Sequence, residues 1–303
     1  MAMHPIADRA GNITYENTLQ DRFLEALYGH WGGRLLLKPL VSPMVSRLGG
    51  ALLDSGISRL FIEGFIRNHS IPMEEYREQE YGSYNAFFTR SMKPDARRVD
   101  RNPEALISPC DGRLSVYRIG KDSAFAVKHT LYTAESLLKD HELAAKYAGG
   151  YIWLFRLCVE NYHRYIYADT GRVTFPVRIP GVLHTVNPAA NDRYPIYKEN
   201  TREYVLLHTE RLGTLVQMEV GALLVGRIIN HARGSRVRRG WEKGRFAFGG
   251  STVILMTEKG AVCPDRDILE NSGRGIETKV KLGERVGACA LPFGPCSGEE
   301  IRD

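Results

Sequence analysis

The sequence predicts an α+β protein in which a helical N-terminal region, residues 1–95, precedes a β-rich domain, residues 96–303, with a curved, mostly antiparallel sheet. Two observations predict this division. Apolar residues before the boundary recur at helical spacing, whereas those after it form short β-branched or aromatic segments. A polar stretch at residues 93–98 contains the helix-stopping Pro94 and marks the boundary.

The N-terminal region predicts several short helices with one apolar stripe. Prolines and glycines interrupt the periodic pattern, and arginine and lysine residues lie between the apolar positions. Such a stripe either packs against a core or lies in a membrane interface, where each basic residue gains about 1 kcal/mol near anionic lipid. Both readings stay open. The stripe consists of Leu35, Leu36, Leu37, Leu40, Val41, Met44, Val45, Leu48, Ile57, Leu60, Phe61, Phe65 and Ile66.

The rest of the chain predicts strands separated by turns. The predicted strands are short and rich in β-branched and aromatic residues, and Gly, Pro, Asn and Asp separate them. One helix is predicted among them, at residues 135–146. The predicted strands lie at residues 151–155, 173–177, 204–207, 215–220 and 251–256.

The composition excludes several classes of protein. With 303 residues, 43% of them hydrophobic and 25% charged, the chain can bury a core, and no apolar run approaches the roughly 20 residues of a membrane-spanning helix. Residues 1–13 lack the features of an export signal. Five cysteines without a Cys-x-x-Cys pair predict reduced thiols and no metal site. The net charge of +6 is compatible with an anionic membrane surface, and no nucleic-acid motif accompanies it.

The stretch Gly249-Gly250-Ser251-Thr252 carries the most specific chemical signal. A serine hydroxyl directly after a glycine can attack the preceding carbonyl, which would break the chain between Gly250 and Ser251. Glycine permits the twisted backbone that such an attack requires. The same residues are also typical of a turn before a buried strand, so the stretch alone leaves self-cleavage and a turn open.

Six other segments accompany this stretch in a fixed order along most of the chain. They are Asn-Ala-Phe-Phe-Thr-Arg at 85–90, Ser-Pro-Cys-Asp-Gly at 108–112, Asn-Tyr-His-Arg at 161–164, His-Thr-Val-Asn-Pro at 184–188, Glu-Val-Gly-Ala at 219–222 with Val-Gly at 225–226, and Lys-Gly-Arg-Phe at 243–246. In this order they resemble the phosphatidylserine decarboxylase family. The Gly-Gly-Ser-Thr form, in place of the commoner Leu-Gly-Ser-Thr, indicates the clostridial-like branch of that family.

The resemblance implies an enzyme that converts phosphatidylserine to phosphatidylethanolamine and carbon dioxide. In the family, the bond equivalent to Gly250–Ser251 is broken autocatalytically, and the serine becomes a pyruvoyl cofactor that forms a Schiff base with the substrate. The products would be a β chain, residues 1–250, and an α chain, residues 251–303, joined as a heterodimer whose further dimerisation stays open. The implied partner is phospholipid at the cytoplasmic face of the cell membrane, with peripheral attachment and without nucleic acid.

The resemblance also assigns a relay for self-processing to Asp111, His163 and Ser251, which occupy the matching motif positions. Family members often carry a second histidine three residues after the first, matched to the relay, and this chain has Ile166 there. In the family the first histidine is matched to handling of the substrate. Either His163 serves both the relay and the substrate, or His184 supplies the missing imidazole. The matched motif favours His163 as the base.

Two alternatives to this function stay open. The same cofactor serves relatives that act on a soluble amino acid, such as an aromatic one, and these do not need an amphipathic N-terminal region. A third hypothesis is an unprocessed, non-catalytic lipid-binding homologue in which loss of the second histidine abolished cleavage. Cleavage of the chain excludes this third hypothesis.

Overall fold

In the computed structural model, the chain is described over residues 4–16, 43–127, 130–182, 196–222, 227–231, 234–247 and 251–290. The strands are β1 (His4–Ala7), β2 (Ile13–Glu16), β3 (Ala105–Ile107), β4 (Gly112–Arg118), β5 (Ala124–Val127), β6 (Thr130–Thr133), β7 (Tyr151–Leu157), β8 (Arg164–Ile166), β9 (Gly171–Val173), β10 (Val177–Ile179), β11 (Arg202–Thr209), β12 (Thr214–Val220), β13 (Ile228–Asn230), β14 (Arg236–Val237), β15 (Glu242–Phe246), β16 (Ser251–Thr257), β17 (Val262–Pro264), β18 (Glu277–Val280) and β19 (Arg285–Cys289). The helices are α1 (Pro43–Asp54), α2 (Ile62–His69), α3 (Tyr84–Phe88), α4 (Ala134–Leu138), α5 (His141–Ala145), α6 (Ile196–Glu199) and α7 (Arg266–Gly273), with 3-10 turns at Gly56–Phe61 and Met73–Glu75.

A large mixed sheet organises the described part of the molecule. Its strands lie in the order β14-β9-β11-β12-β16-β7-β4-β18-β1-β2, and β10 pairs with β11. Within the described ranges, β1 and β18 run parallel and the other neighbours run antiparallel. Strands β8, β13 and β15 form a smaller sheet, and so do β3, β17 and β19. Strands β5 and β6 form a separate pair.

Strands β7 and β16 lie in the middle of the large sheet and are buried along their whole length. Side chains alternate between the two faces of a strand, so β16 contributes to two cores. Ile254 and Met256 pack with α4, α5 and α6 on one face. Val253 and Leu255 pack on the other face with residues of the two smaller sheets and of α7. A strand covered on both faces reads as a continuous apolar run, as β16 does after its first two residues.

The smaller sheet β13-β15-β8 covers the second face of the large sheet. Gln217 of β12 is completely buried between them. Its amide nitrogen donates to the carbonyl oxygen of Ile166 at 2.9 Å, and its amide oxygen accepts from the backbone nitrogen of Ala168 at 3.3 Å. These two bonds satisfy a buried amide and fix the smaller sheet on the larger one.

The N-terminal helices pack through a third apolar cluster. Ile62 of α2 and Phe87 and Phe88 of α3 are buried together with Ile166 and Leu282 of the β-rich region. Ser83 caps the start of helix α3, because its hydroxyl accepts from the backbone nitrogen of Ala86. Phe65 and Ile66 of the apolar N-terminal stripe are partly buried against this cluster, so the end of the stripe packs on the core. Residues 17–42, which hold the first part of the stripe, lie outside the described residues, and so do the side chains of residues 43–48.

The sequence prediction is confirmed in outline and wrong at the N-terminus. The region after residue 95 is β-rich with mostly antiparallel pairing, as predicted. Residues 4–16, in contrast, form β1 and β2 instead of helix. Their edge position explains the error, because β1 is a four-residue strand whose place depends on pairing with the distant β18.

Two predicted elements of the β-rich region are also corrected. The strand predicted at residues 173–177 is a connection, because β9 ends and β10 begins at its two ends with Pro176 between them. The helix predicted at residues 135–146 is two short helices. Lys139 ends the first with a left-handed conformation, φ 56°, and the Asp140 side chain caps the second. The other four predicted strands are confirmed as β7, β11, β12 and β16.

The prediction of reduced thiols is wrong at one position. Cys110, Cys158 and Cys289 carry free thiols, whereas Cys263 takes part in a disulfide bond. An odd number of cysteines excludes complete pairing but does not exclude a single bridge. None of the helices in the described ranges has both the length and the apolar character needed to cross a membrane.

Candidate active site

Ser251 is the first residue of β16. It pairs with Leu157 of β7, and Thr252 pairs with Val220 of β12, so interior strands hold this end of β16 on both sides. The Ser251 side chain is completely buried, and among the described residues its Oγ has no hydrogen-bond partner. A buried hydroxyl without a partner costs about 1–3 kcal/mol, so this oxygen is available for chemistry and does not stabilise the fold. Gly250 lies outside the described residues.

His163 precedes β8 and is completely buried. Its Nδ1 lies 2.9 Å from the carbonyl oxygen of Asn161, so Nδ1 carries the proton and donates it. Nε2 is then an unprotonated acceptor, and it finds no hydrogen-bond partner in the part of the chain that the structure describes. Burial lowers the pKa of His163 to about 3, against the bond to Asn161 and with help from the charge of Arg90. The neutral imidazole can therefore accept a proton at Nε2.

The end of α3 fixes the segment that carries His163. The ring of Phe88 lies 4.0 Å from the imidazole, centroid to centroid. Arg90 is buried over the Tyr76 ring and donates to the carbonyl oxygen of Glu160 at 3.2 Å. Arg164 donates in turn to the carbonyl oxygen of Thr89 at 2.8 Å, on the chain segment that follows α3. The Asn-Ala-Phe-Phe-Thr-Arg segment therefore positions the imidazole.

The backbone of His163 also joins the layer that contains Ser251. Its carbonyl oxygen accepts from the backbone nitrogen of Phe246, the last residue of β15, at 2.9 Å. Phe246 packs on Tyr165 with ring centroids 4.8 Å apart and belongs to the same buried cluster as Val253. Ser251 shares the sheet face of Val253, because side chains two residues apart point the same way. The structure thus brings two predicted site residues, each with a free buried atom, to one side of the large sheet.

Asp111 is committed to other partners. Arg97 donates to its carboxylate through Nε at 2.9 Å and Nη2 at 2.7 Å, and the backbone nitrogen of Leu282 donates at 2.8 Å. Arg97 also donates to Glu75 at 2.8 Å, so one guanidinium serves two carboxylates. The Nδ1 of His163 is bonded to the carbonyl oxygen of Asn161, so this nitrogen does not bind Asp111.

Ile166 lies beside the Asp111 segment. Its backbone nitrogen donates to the carbonyl oxygen of Pro109 at 2.8 Å, and its side chain shares a buried cluster with Leu282, the residue that donates to Asp111. With isoleucine there, the charge of Asp111 is balanced by Arg97.

A second buried polar group was missed by sequence reasoning. Glu219 of β12 and Lys243 of β15 form an ion pair in which both side chains are almost completely buried. Asn230 donates to Glu219 at 3.2 Å and accepts from Lys243 at 3.2 Å. Burial raises the pKa of Glu219, although Lys243 and Asn230 oppose the shift. The signal in the sequence was a carboxylate within the predicted strand 215–220, whose other residues, apart from Gln217, are apolar.

His184, the alternative base, lies outside the described residues. The comparison of His163 with His184 as processing base therefore stays a prediction. Ser251 and its ladder partner Leu157, on the same sheet face, are the residues that could hold a prosthetic group derived from the serine.

Comparison with known proteins identifies the family. The family model for phosphatidylserine decarboxylase matches residues 84–288. The chain is 42% identical to phosphatidylserine decarboxylase proenzyme 2 of Clostridium acetobutylicum over 276 residues, which cover 91% of this chain and 94% of the relative. It is 40% identical to the proenzyme of Ruminiclostridium cellulolyticum over 280 residues, 90% and 93% of the two chains, and 35% identical to that of Fusobacterium nucleatum over 288 residues, 93% and 96%. The chain belongs to the phosphatidylserine decarboxylase family.

Proposed function

We propose that this protein is a phosphatidylserine decarboxylase that cleaves itself between Gly250 and Ser251 and then converts phosphatidylserine to phosphatidylethanolamine and carbon dioxide. One observation carries the proposal. Ser251 begins a buried interior strand, and its hydroxyl has no hydrogen-bond partner among the described residues. The backbone of His163 binds the small sheet that packs on the same face, and the Nε2 of this neutral imidazole has no partner there either. Buried polar atoms are nearly always paired, so two unpaired ones at predicted site residues favour a reaction site.

Maturation begins with proton transfer from Ser251. His163 accepts the hydroxyl proton at Nε2, and Oγ attacks the Gly250 carbonyl, which exchanges the amide bond for an ester. The ester then eliminates, which frees the Gly250 carboxylate and converts the serine into dehydroalanine, and water hydrolyses the imine form of this residue with release of ammonia. Asp111 is proposed to support this relay through its charge and by fixing the Leu282 segment, because Arg97 occupies its carboxylate.

The site fits a pyruvoyl group derived from Ser251. The unsatisfied Oγ marks a position at the end of β16 where a small group without a donor is tolerated. A pyruvoyl group supplies an electrophilic carbonyl that stabilises the negative charge left on the substrate carbon when carbon dioxide departs. Leu157 and Phe246 make the surroundings apolar, which favours loss of a charged carboxylate. The neutral imidazole of His163 can hold or return a proton beside this position.

Self-cleavage would leave two chains that stay together. Strand β16 begins the α chain, residues 251–303, and pairs with β7 and β12 of the β chain, residues 1–250. Strand β18 of the α chain pairs with β1 and β4. Interleaved strands and shared cores support a stable heterodimer, since separation would expose buried backbone groups.

The substrate is proposed to come from a membrane surface on which the protein docks peripherally, at its cytoplasmic face. Leu52, Ile57, Leu60 and Phe61 are 65%, 72%, 81% and 64% exposed. Ile57, Leu60 and Phe61 belong to the N-terminal stripe, and the exposed Arg59 lies among them in sequence. Apolar side chains flanked by basic ones suit the interface of an anionic bilayer.

The direct test combines the processing of the chain with its substrate. Ser251→Ala should give a folded, full-length, inactive protein, whereas the parent chain should cleave and decarboxylate phosphatidylserine in vesicles. Uncleaved chain in an active preparation would contradict the pyruvoyl mechanism. Turnover of a free aromatic amino acid without activity on the lipid would assign the protein to the soluble-substrate alternative.

A further inference from the structure

The buried ion pair of Glu219 and Lys243 lies on the same face of the large sheet as Ser251. Glu219 pairs with Val253 in the β12–β16 ladder, and partners in an antiparallel ladder point to the same face. Ser251 is two residues from Val253 and so shares that face. Diagonal neighbours across such a pair are about 7–8 Å apart, which a glutamate side chain can bridge.

One carboxylate oxygen of Glu219 is fully used and the other is free. Oε2 accepts from Lys243 and from Asn230. Oε1 is buried and, in the part of the chain that the structure describes, has no partner. Glu219 Oε1 and Ser251 Oγ are thus two unsatisfied oxygens on one buried sheet face.

Lys243 is held in a place that an ordinary strand would not provide. The β15–β8 ladder slips between Glu242, which pairs with Ile166, and Gly244, which pairs with Tyr165, so Lys243 is the extra residue of a bulge. Its ammonium group points to Glu219 and lies 5.8 Å from the centre of the Tyr165 ring. Bulges re-aim side chains near functional sites.

The groups around Glu219 keep it able to exchange a proton. The titratable groups that face it are Lys243 from β15, Glu203 from β11, Tyr165 from β8 and Cys110 from the segment before β4. Lys243 favours the carboxylate, whereas burial and Glu203 favour the acid. Such opposing influences suit a group that takes up a proton and releases it.

Maturation requires two different proton abstractions. The first takes the proton of Ser251 Oγ, a role proposed above for His163. The second takes the proton from the Cα of Ser251, so that the ester can eliminate. Position 166, where the family often has a second histidine, holds isoleucine, and the carboxylate of Asp111 is bound in an ion pair with Arg97. Neither position therefore supplies this second base.

We propose, on the basis of the proposed self-cleavage at Ser251, that Glu219 is the base of this elimination. Oε1 takes the Cα proton, the Cα–Cβ double bond forms, the Cβ–Oγ bond breaks, and the electron pair of that bond leaves with the carboxylate of Gly250. The protonated Glu219 then returns its proton to Cβ as the enamine tautomerises to the imine, and a water molecule hydrolyses the imine, so that its oxygen becomes the ketone oxygen and ammonia leaves. Lys243 and Asn230 hold the carboxylate in place during both transfers.

The test is accumulation of the ester. In Glu219→Gln, the first step should proceed and the elimination should slow by about 100-fold or more, the usual contribution of a general base. Hydroxylamine cleaves esters, so it should split this variant into residues 1–250 and a 251–303 fragment that begins with unmodified serine, as read by intact mass. Glu270→Gln removes an exposed carboxylate of α7, outside the site, and should mature at the parent rate. Parent-like maturation of Glu219→Gln, or a full-length chain that resists hydroxylamine, would overturn the proposal.

A paired substitution separates chemistry from structure. Glu219→Gln leaves Lys243 buried without a counter-charge, whereas Glu219→Gln with Lys243→Met removes both charges. The double variant should recover the melting temperature and still accumulate the ester; recovery of maturation with stability would overturn the proposal. Lys243→Met alone should shift the pH profile of the elimination rate to higher pH, because Glu219 then ionises less readily. An unchanged pH profile would count against the proposal. If His163→Ala or Ser251→Ala forms the hydroxylamine-sensitive ester, the proposed function fails instead.

Discussion

Two buried carboxylates lie on opposite sides of β8, and their surroundings differ in one respect. Asp111 lies on the Ile166 side, where Arg97 and the backbone of Leu282 use both of its oxygens. Glu219 lies on the Tyr165 side, where one oxygen binds Lys243 and the other has no partner among the described residues. A fully bonded carboxylate stabilises the fold, whereas a partly bonded one is held in place and still able to react.

The same distinction separates the other site residues. His163 and Ser251 each have one buried atom without a partner in the described chain, as Glu219 does. In the proposed mechanism, the relay therefore divides into reacting atoms, at His163 and Ser251, and an ion pair that supports them, at Asp111 and Arg97. Substitutions on the two sides of β8 should then fail in different ways.

The largest expected effect follows loss of the imidazole. His163→Ala should slow self-cleavage by about 100- to 10,000-fold, because the base for the Ser251 hydroxyl is gone. Pulse labelling followed by a denaturing gel measures the rate. His208→Ala removes an exposed histidine of β11 and serves as the control. Normal cleavage of His163→Ala, with loss of cleavage in His184→Ala, would transfer the role to His184.

A smaller effect should follow loss of the Asp111 carboxylate. Asp111→Asn breaks a buried ion pair and should lower the free energy of unfolding by about 3 kcal/mol. It should also slow cleavage more than Arg97→Met does, since Arg97→Met leaves the carboxylate in place. Denaturant unfolding and cleavage rates measured side by side decide the comparison. Equal slowing in the two variants would reduce Asp111 to one half of a structural ion pair.

The pH dependence of stability should report the buried imidazole. The pKa of His163 is lowered from 6.5 to about 3 on folding, so below pH 6.5 the unfolded chain binds a proton that the folded chain refuses. The stability that the unprotonated His163 gives the folded chain is therefore fully present above pH 6.5 and is lost as the pH falls toward 3. Between pH 7 and pH 5 it amounts to about 2 kcal/mol. Unfolding of His163→Gln should lose this part of the pH dependence, and an unchanged slope would contradict a neutral, buried His163.

The smallest expected effect lies at the surface. Leu60→Ser with Phe61→Ser should lower activity on vesicle-borne phosphatidylserine a few-fold and leave activity on a monomeric short-chain analogue unchanged. Phe175→Ser removes an apolar side chain that is 94% exposed in the connection between β9 and β10, and it provides the matched control. Equal losses on both substrates would mean that Leu60 and Phe61 act through folding and not through lipid.

The sequence predicted those parts of the molecule that depend on local pattern. Long apolar segments such as 151–155 and 251–256 became interior strands, and the motif around Ser251 identified the family. Elements that depend on distant partners were missed, such as β1, which needs β18 to form.

The partners of the site residues could not be predicted either. Nothing near Asp111 in sequence indicates that Arg97 donates to its carboxylate. Nothing near Glu219 indicates that a bulge in β15 directs the Lys243 side chain toward it. Charged residues are rarely buried, so a buried pair is the kind of feature that pattern reasoning assigns to the surface. The distinction between bonded and free carboxylates exists only in three dimensions.

The most direct test of the central claim is the intact mass of the purified, active protein. We expect two chains, residues 1–250 and residues 251–303, with the smaller chain lighter by one ammonia than a peptide that begins with unmodified Ser251. Such a mass reports both the cleavage and the cofactor in one measurement. A single full-length mass, or a smaller chain that begins with intact serine in a fully active preparation, would contradict the claim that Ser251 is the source of the catalytic carbonyl.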